Sequence, residues 1–160
     1  MCRASVHALR GVDLILRAGE SAVVVGRKGA GKSTLLLVAA GLMSADAGEC
    51  RWFGESRRAA AARRTLYHST VHDLMRAGSM DEPHVHLVDV PTEAMQGVIV
   101  QDWIERCCAN GDSVLAVSED LATAQRVSTR VLLLDFGRLQ FMPPVRARVA
   151  EFVDPSFQRV

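Results

Sequence analysis

Val23-Val24-Val25-Gly26-Arg27-Lys28-Gly29-Ala30-Gly31-Lys32-Ser33-Thr34-Leu35-Leu36-Leu37 is the stretch that decides the fold. Three β-branched residues in a row, with no polar residue alternating among them, describe a strand buried on both faces. Gly26 to Gly31 break that strand, and an apolar helix follows from Lys32 to about Leu42, stopped by Gly41 and the turn formers Ser44 to Gly48. In this strand-to-helix context, Gly26 to Ser33 fits G-x-x-x-x-G-K-[ST], the pattern of a phosphate-binding loop. The glycines let backbone N–H groups turn inward on a phosphate, and the helix N-terminus adds positive potential. Lys32 supplies charge for β- and γ-phosphates, and the Ser33 hydroxyl is offered to Mg²⁺. The expected binding residues are Gly26, Arg27, Lys28, Gly29, Ala30, Gly31, Lys32, Ser33 and Thr34. The competing reading is a glycine-rich turn with no ligand.

Outward from the loop, composition points to the same place. Lys28 and Lys32 are the only lysines of the chain, every other cation-forming long side chain being Arg. At 160 residues the chain makes one domain, and its 49% apolar content is enough to bury a core. With 19 basic against 18 acidic residues there is no charge excess to hold a polyanion, so no nucleic-acid partner is expected. Cys2, Cys50, Cys107 and Cys108 form no C-x-x-C pair and read as reduced, structural thiols. No signal-peptide pattern opens the chain, and the longest nearly apolar run, Leu35 to Met43, is too short to cross a bilayer, so a cytoplasmic location is expected.

Short apolar runs alternate with amphipathic stretches, the pattern of helices on a mostly parallel sheet, hence an α/β class. Strands are expected at Val12 to Leu16, Ala22 to Val25, Glu49 to Phe53, Val85 to Asp89, Val114 to Val117, Val131 to Leu134 and Leu139 to Met142. Helices are expected at Lys32 to Leu42, Glu93 to Ala109, Leu121 to Val127 and Val145 to Val153, with Arg57 to Arg64 a solvated helix or turn. Val85-His86-Leu87-Val88-Asp89 ends in the carboxylate that a phosphate loop needs on a neighbouring strand, so Asp89 joins Ser33 as a Mg²⁺ ligand, directly or through water. An Asp capping a turn before Pro91 is the alternative.

These residues resemble the nucleotide-binding domain of the ATP-binding cassette (ABC) transporter family over nearly the whole chain. Ala8 to Leu14 and Ala18-Gly19-Glu20 are similar to its opening strands, and Val25 to Thr34 to its phosphate loop (Walker A). His86-Leu87-Val88-Asp89-Val90-Pro91-Thr92 is similar to its apolar strand followed by D-E-P-T, and Val131 to Met142 to its closing strand pair. The resemblance implies a P-loop NTPase three-layer sandwich, spanning 1–160 as a single ABC-type ATP-binding domain. It also implies ATP and Mg²⁺ as cofactors, dimerisation with a partner ATP-binding subunit, and attachment to a membrane permease at the inner face of the membrane.

The departures fall on the catalytic positions. Val90 stands where the family places the glutamate that polarises water, so general-base function is lost there and no catalytic residue is assigned. Glu119 stands at the switch histidine, Gln96 at the dimer-loop aspartate and Arg3 near the adenine-stacking aromatic. No L-S-G-G-Q-like segment exists, the glutamine loop is represented by Thr70 at best, and most of the helical subdomain is missing around 68–73. The expected protein is therefore a shortened, degenerate ABC-type ATP-binding protein, a subunit or relative of a transporter with weak or absent hydrolysis, or an incomplete coding region.

Three other readings stay open: an ATPase active only as a heterodimer with an intact partner, a small P-loop phosphotransferase with Arg57, Arg58, Arg63 and Arg64 in a lid, and a non-functional remnant. Two smaller constellations are visible. His84 and His86 on one strand face, with His68 and His72 on one helix face, outline a four-His metal site against a reading of scattered polar residues. Glu119 and Asp120 read as a pair of acids or, more simply, as a helix cap beside Ser118.

Overall fold

The chain's structure, a computed structural model, describes residues 8–52, 55–56, 64–76, 82–91, 93, 98–128 and 130–142. Its elements in chain order are β1 (Ser21–Val25), α1 (Lys32–Ala40), β2 (Arg51–Trp52), β3 (Glu55–Ser56), β4 (Thr65–His68), α2 (Val71–Arg76), β5 (Val85–Val88), α3 (Val98–Ala109), β6 (Ser113–Ser118), α4 (Leu121–Val127), β7 (Arg130–Asp135) and β8 (Arg138–Phe141). The main sheet has the order β4-β5-β6-β1-β7-β8. Strands β4, β5, β6, β1 and β7 are parallel, and β8 closes the edge antiparallel to β7. All parallel strands therefore end at one edge of the sheet, where binding clefts form in such folds.

The run of valines in β1 has its physical reason in the two layers of core. Val23 and Val25 point into a cluster with Leu74, Val100, Trp103, Ile104 and Val127 from α2, α3 and α4. Ala22 and Val24 point the other way, onto Leu35, Leu36 and Ala39 of α1. Both faces are covered, so polar alternation would bury polar side chains, and β6 is buried throughout for the same reason. Helices on both faces of a mostly parallel sheet make the expected three-layer α/β sandwich. Helix α1 ends on Gly41 in the left-handed conformation (φ 79°), whose N–H donates to the Val38 carbonyl at 3.2 Å.

Four sequence expectations are corrected. Val12 to Leu16 is no strand, although its side chains alternate as one would: Val12, Leu14 and Leu16 lie half-buried on the α1-side core while Asp13 and Ile15 are exposed. Side chains take the place of a ladder there, with the Arg130 guanidinium donating to the Ile15 carbonyl and the Ser113 hydroxyl to that of Arg17 at 2.9 Å. His68 and His72 share no helix, because Thr65–His68 is edge strand β4 and His72 belongs to α2. His84 precedes β5, its Nδ1–H donating to the Glu82 carbonyl, so it does not share the strand with His86. Of the strand expected at Glu49 to Phe53, Arg51–Trp52 forms β2, Glu49 and Cys50 precede it and Phe53 lies outside the described residues, as do the helices at 57–64 and 145–153, Arg64 excepted.

On the α3 side, β4 and β5 bring two imidazoles into the core. His68 and His86 rings lie 5.2 Å apart, stacked, each edge-on to Trp103. Burial pushes the His68 pKa down to about 4, with His86 adding to the effect, and burial likewise lowers that of His86. Both are neutral imidazoles at pH 7, exchanging a hydrogen bond of 3.0 Å between His68 Nε2 and His86 Nδ1.

Candidate functional site: a cleft over the strand ends

The loop between β1 and α1 owes its shape to two glycines. Gly31, at φ 103°, is the last residue before α1, and a Cβ there would stand 2.6 Å from the Ala8 carbonyl oxygen. A Cβ on Gly26 would stand 2.5 Å from the Leu134 carbonyl oxygen at the end of β7. Gly31→Ala therefore forces both a disfavoured backbone conformation and a backbone collision. It is expected to destabilise the fold by ~1–3 kcal/mol, measured as a lowered urea midpoint, and to displace the loop.

Lys32 is folded back across the loop. Its ammonium donates to the carbonyl of Gly26 at 2.7 Å and of Arg27 at 3.0 Å, and stands 3.5 Å from the Glu119 carboxylate. Its side chain is only 10% exposed whereas that of Glu119 is 56% exposed, so the cation is held by the loop and the acid reaches in from the surface. Ser33 and Thr34 sit in the first turn of α1, where N–H groups lack partners within the helix and no acidic side chain is present.

Across from the loop stand the ends of β5 and β6. One cleft is lined by Lys28, Gly29, Gly31, Lys32, Ser33 and Thr34 on the loop side, and by Asp89, Val90, Glu93, Val117, Ser118 and Glu119 opposite. Asp89 accepts a hydrogen bond of 3.1 Å from the Tyr67 hydroxyl at the end of β4, which leaves its other oxygen for a ligand. Burial, with the Asp89 charge beside it, pushes the Tyr67 hydroxyl up to about 12, so it stays a donor.

Of the nine loop residues expected to bind, six line the cleft. Gly26 and Arg27 act through the carbonyls that hold Lys32, and Ala30 is half-buried against the α1-side core, a packing residue. Ser33 and Asp89, expected to share a metal ion, do share the cleft. Val90 is 5% exposed and belongs to the α3-side core, so nothing but hydrocarbon stands at that position. The acid pair divides: Asp120 caps α4, accepting from the N–H of Thr123 at 2.8 Å and of Ala122 at 3.3 Å, while Glu119 faces Lys32. The Thr123 hydroxyl in particular holds the Asp120 carboxyl below the usual carboxylate range.

Thr70 does not reach the cleft lining; it caps α2, its hydroxyl accepting from the Asp73 N–H and its own N–H donating to the Asp73 carboxylate, both at 3.1 Å. Its neighbour Ser69 lines the cleft instead, along with Ala8 and Pro91, none of which the sequence singled out. Arg64 lies at the opposite, N-terminal end of β4, paired with Glu82 at 3.5 Å, so it is no part of a lid over the loop. Arg3, Gln96, Arg57, Arg58 and Arg63 fall outside the described residues. Among the described residues no helix is long and apolar enough to cross a membrane.

Comparison with known proteins agrees with this fold. The chain is similar to an aliphatic sulfonates import ATP-binding protein, SsuB 1, of Nocardia farcinica, 29% identical over 200 aligned positions that cover 94% of this chain and 82% of that one. That alignment has more positions than this chain has residues, so the relative carries residues that this chain lacks. Higher identity is confined to short stretches: 47% over 51 residues with the pyoverdine export ATP-binding/permease protein PvdT of Pseudomonas fluorescens, covering 32% of this chain and 8% of that one. The chain spans about a tenth of the length of such relatives. Among solved structures, an ATP-binding subunit of an ABC transporter superposes with a TM-score of 0.68 at 17% identity, over 92% of this chain and 89% of that one. A second, cbiO1 of Clostridium perfringens, gives a TM-score of 0.68 at 14% identity over 91% of this chain and 85% of that one; at such identities the likeness speaks for fold. The sequence profile of the ABC transporter matches residues 9–135, four-fifths of the chain, and with the P-loop α/β architecture around that cleft it places this chain in the ABC transporter family as a nucleotide-binding domain.

Proposed function

We propose that this chain binds Mg-ATP in the cleft between its phosphate loop and the ends of β5 and β6, as an ATP-binding subunit or relative of a membrane transporter, with weak or absent hydrolysis of its own. The observation that carries the reading is the posture of Lys32. A half-buried ammonium held on its own loop's carbonyls beside an α-helix N-terminus is a preformed seat for phosphate oxygens. The residues fit the ligand: Gly29, at φ 83° with nothing within 4 Å of where a Cβ would stand, leaves the loop backbone open to the cleft, Ser33 offers a hydroxyl, and Asp89 offers a carboxylate oxygen across the cleft. Mg²⁺ there would neutralise charge on the β- and γ-phosphates. Ser33 and Asp89 would hold the ion, Tyr67 would orient Asp89, and Lys32 with the loop N–H groups would hold the phosphates.

Weak hydrolysis follows from Val90 and Glu119. A valine accepts no proton, and the Glu119 carboxylate stands where it repels a γ-phosphate while competing for Lys32. Glu119→Gln removes that repulsion without emptying the space. It is expected to tighten Mg-ATP binding ~3- to 10-fold, the gain shrinking in high salt because Glu119 is exposed. A titration of wild type and Glu119→Gln at two ionic strengths checks this, and an unchanged affinity counts against the repulsive role. Steady-state phosphate release by the purified chain, expected to stay well below ~1 s⁻¹, tests the hydrolysis reading.

A second reading has its own support. A cleft whose loop is intact and whose water-polarising position is hydrocarbon suits a subunit that contributes a binding half-site to a heterodimer with an intact partner. The extra residues of the longer relative support the view that the helical subdomain is missing around 68–73, where β4 passes straight into the short helix α2. A permease partner, and a place at the cytoplasmic face of a membrane, belong to the same proposal.

A further inference from the structure

His86, Cys107 and Asp112 come together inside the α3-side layer of the core, at the end of the sheet opposite the cleft. Each offers one ligand atom, and the three atoms lie within 4.8 Å of one another. They belong to different elements: His86 to β5, Cys107 to the last turn of α3, and Asp112 to the turn leading into β6. All three are buried, yet Cys107 at 8% and Asp112 at 7% keep a sliver of surface through which an ion can enter. We propose that His86 Nε2, Cys107 Sγ and a carboxylate oxygen of Asp112 form a binding site for a single Zn²⁺-like transition metal ion, separate from the Mg²⁺ expected at the phosphate loop.

The spacing supports a metal better than a proton. His86 Nε2 stands 3.4 Å from Asp112 Oδ2, longer than the ~2.7–2.9 Å of a charge-assisted hydrogen bond. Two ligands bonded to Zn²⁺ at ~2.0–2.2 Å at a tetrahedral angle stand about 3.4 Å apart. The surroundings already hold the ligands in place. His86 Nδ1 is 3.0 Å from His68 Nε2, so with an ion on Nε2 the ring proton would sit on Nδ1 and be donated to His68. The other oxygen of Asp112 accepts the backbone N–H of His84 at 2.7 Å. Nitrogen, sulfur and oxygen donors together select a borderline ion such as Zn²⁺ over Mg²⁺ or Ca²⁺. Three protein donors leave the fourth position of the tetrahedron to water. On binding, the metal–sulfur bond replaces the S–H bond of Cys107 and the proton passes to solvent. The ion would tie β5, α3 and the start of β6 into one unit, a structural role at a distance from the nucleotide.

The test is a Co²⁺ titration of the full chain after treatment with a chelator, without nucleotide. One equivalent is expected to give a thiolate-to-cobalt charge-transfer band with visible bands of four-coordinate intensity, bleached by one equivalent of Zn²⁺. The variant Cys2→Ser/Cys50→Ser/Cys108→Ser leaves Cys107 as the single thiol and touches no ligand, so it is expected to keep the band. His68→Gln is expected to weaken Co²⁺ binding ~10-fold through the lost support of His86. Cys107→Ser is expected to abolish the band. Absence of the band in the single-thiol variant, or its survival in Cys107→Ser, overturns the proposal. Should Cys107→Ser fail to fold, the single-thiol variant decides alone.

Discussion

Lys32→Ala is expected to raise the Kd of the chain for Mg-ATP by ~100-fold or more while leaving it folded. The side chain donates to two loop carbonyls in the free protein, and phosphate oxygens compete for the same ammonium. Two or three charge-assisted hydrogen bonds of ~1.5–3 kcal/mol each are lost with it, and every 1.4 kcal/mol is about tenfold in affinity. Folding suffers less, because the Arg27 carbonyl is left to water and only that of the buried Gly26 loses a partner. Calorimetric titration of wild type and variant, with a melting curve of each, separates the two effects. Equal binding by both proteins would show that the loop is not where nucleotide binds. Binding by neither would turn the cleft into a relic and favour the non-functional remnant.

The second large effect is on the fold. Leu115→Ala in β6 is expected to cost ~3–5 kcal/mol, a large part of the ~5–15 kcal/mol that stabilises a domain of this size. Leu115 is fully buried, and β6 lies between β5 and β1, so the cavity opens in the middle of the sheet with rigid strands on both sides. Its side chain belongs to the α1-side core beside Leu36 and Leu132. Loosening that layer also loosens the seating of α1, whose N-terminus faces the cleft. A shift of the urea midpoint without a change in slope is the expected signature, and a cost below ~1 kcal/mol would show that the site collapses around the loss.

The parts of this protein that were legible in its sequence are those written in consecutive residues. The strand at Ser21–Val25, the loop after it and α1 were readable because a valine run, glycines at fixed spacing and an apolar helix each express a local preference. The edge strand β4 was not readable: Thr65-Leu66-Tyr67-His68 has neither a clean alternation nor an apolar run, and pairing with β5 alone makes it a strand. Val12 to Leu16 failed in the opposite sense, since its alternation is that of a strand while the Ile15 carbonyl, like that of Arg17 just beyond, is taken by a side chain instead of a neighbouring ladder. The candidate site divides in the same way. The loop residues and Asp89 were found from motifs, whereas Tyr67 behind Asp89 and the 3.5 Å approach of Glu119 to Lys32 link segments 22 and 87 residues apart.

By itself, then, the amino-acid sequence determined the α/β class, the phosphate loop and the family it resembles, because backbone sterics and hydrophobic period act over a few residues. Only the tertiary structure decided which carboxylate meets the loop lysine, and that His86, Cys107 and Asp112 meet at all. Those encounters depend on strand order and register, with His86 opposite Val114 and Val24 opposite Val117. Register is set by the summed burial of both faces of the sheet, a quantity that belongs to the packed molecule and to no segment of the chain.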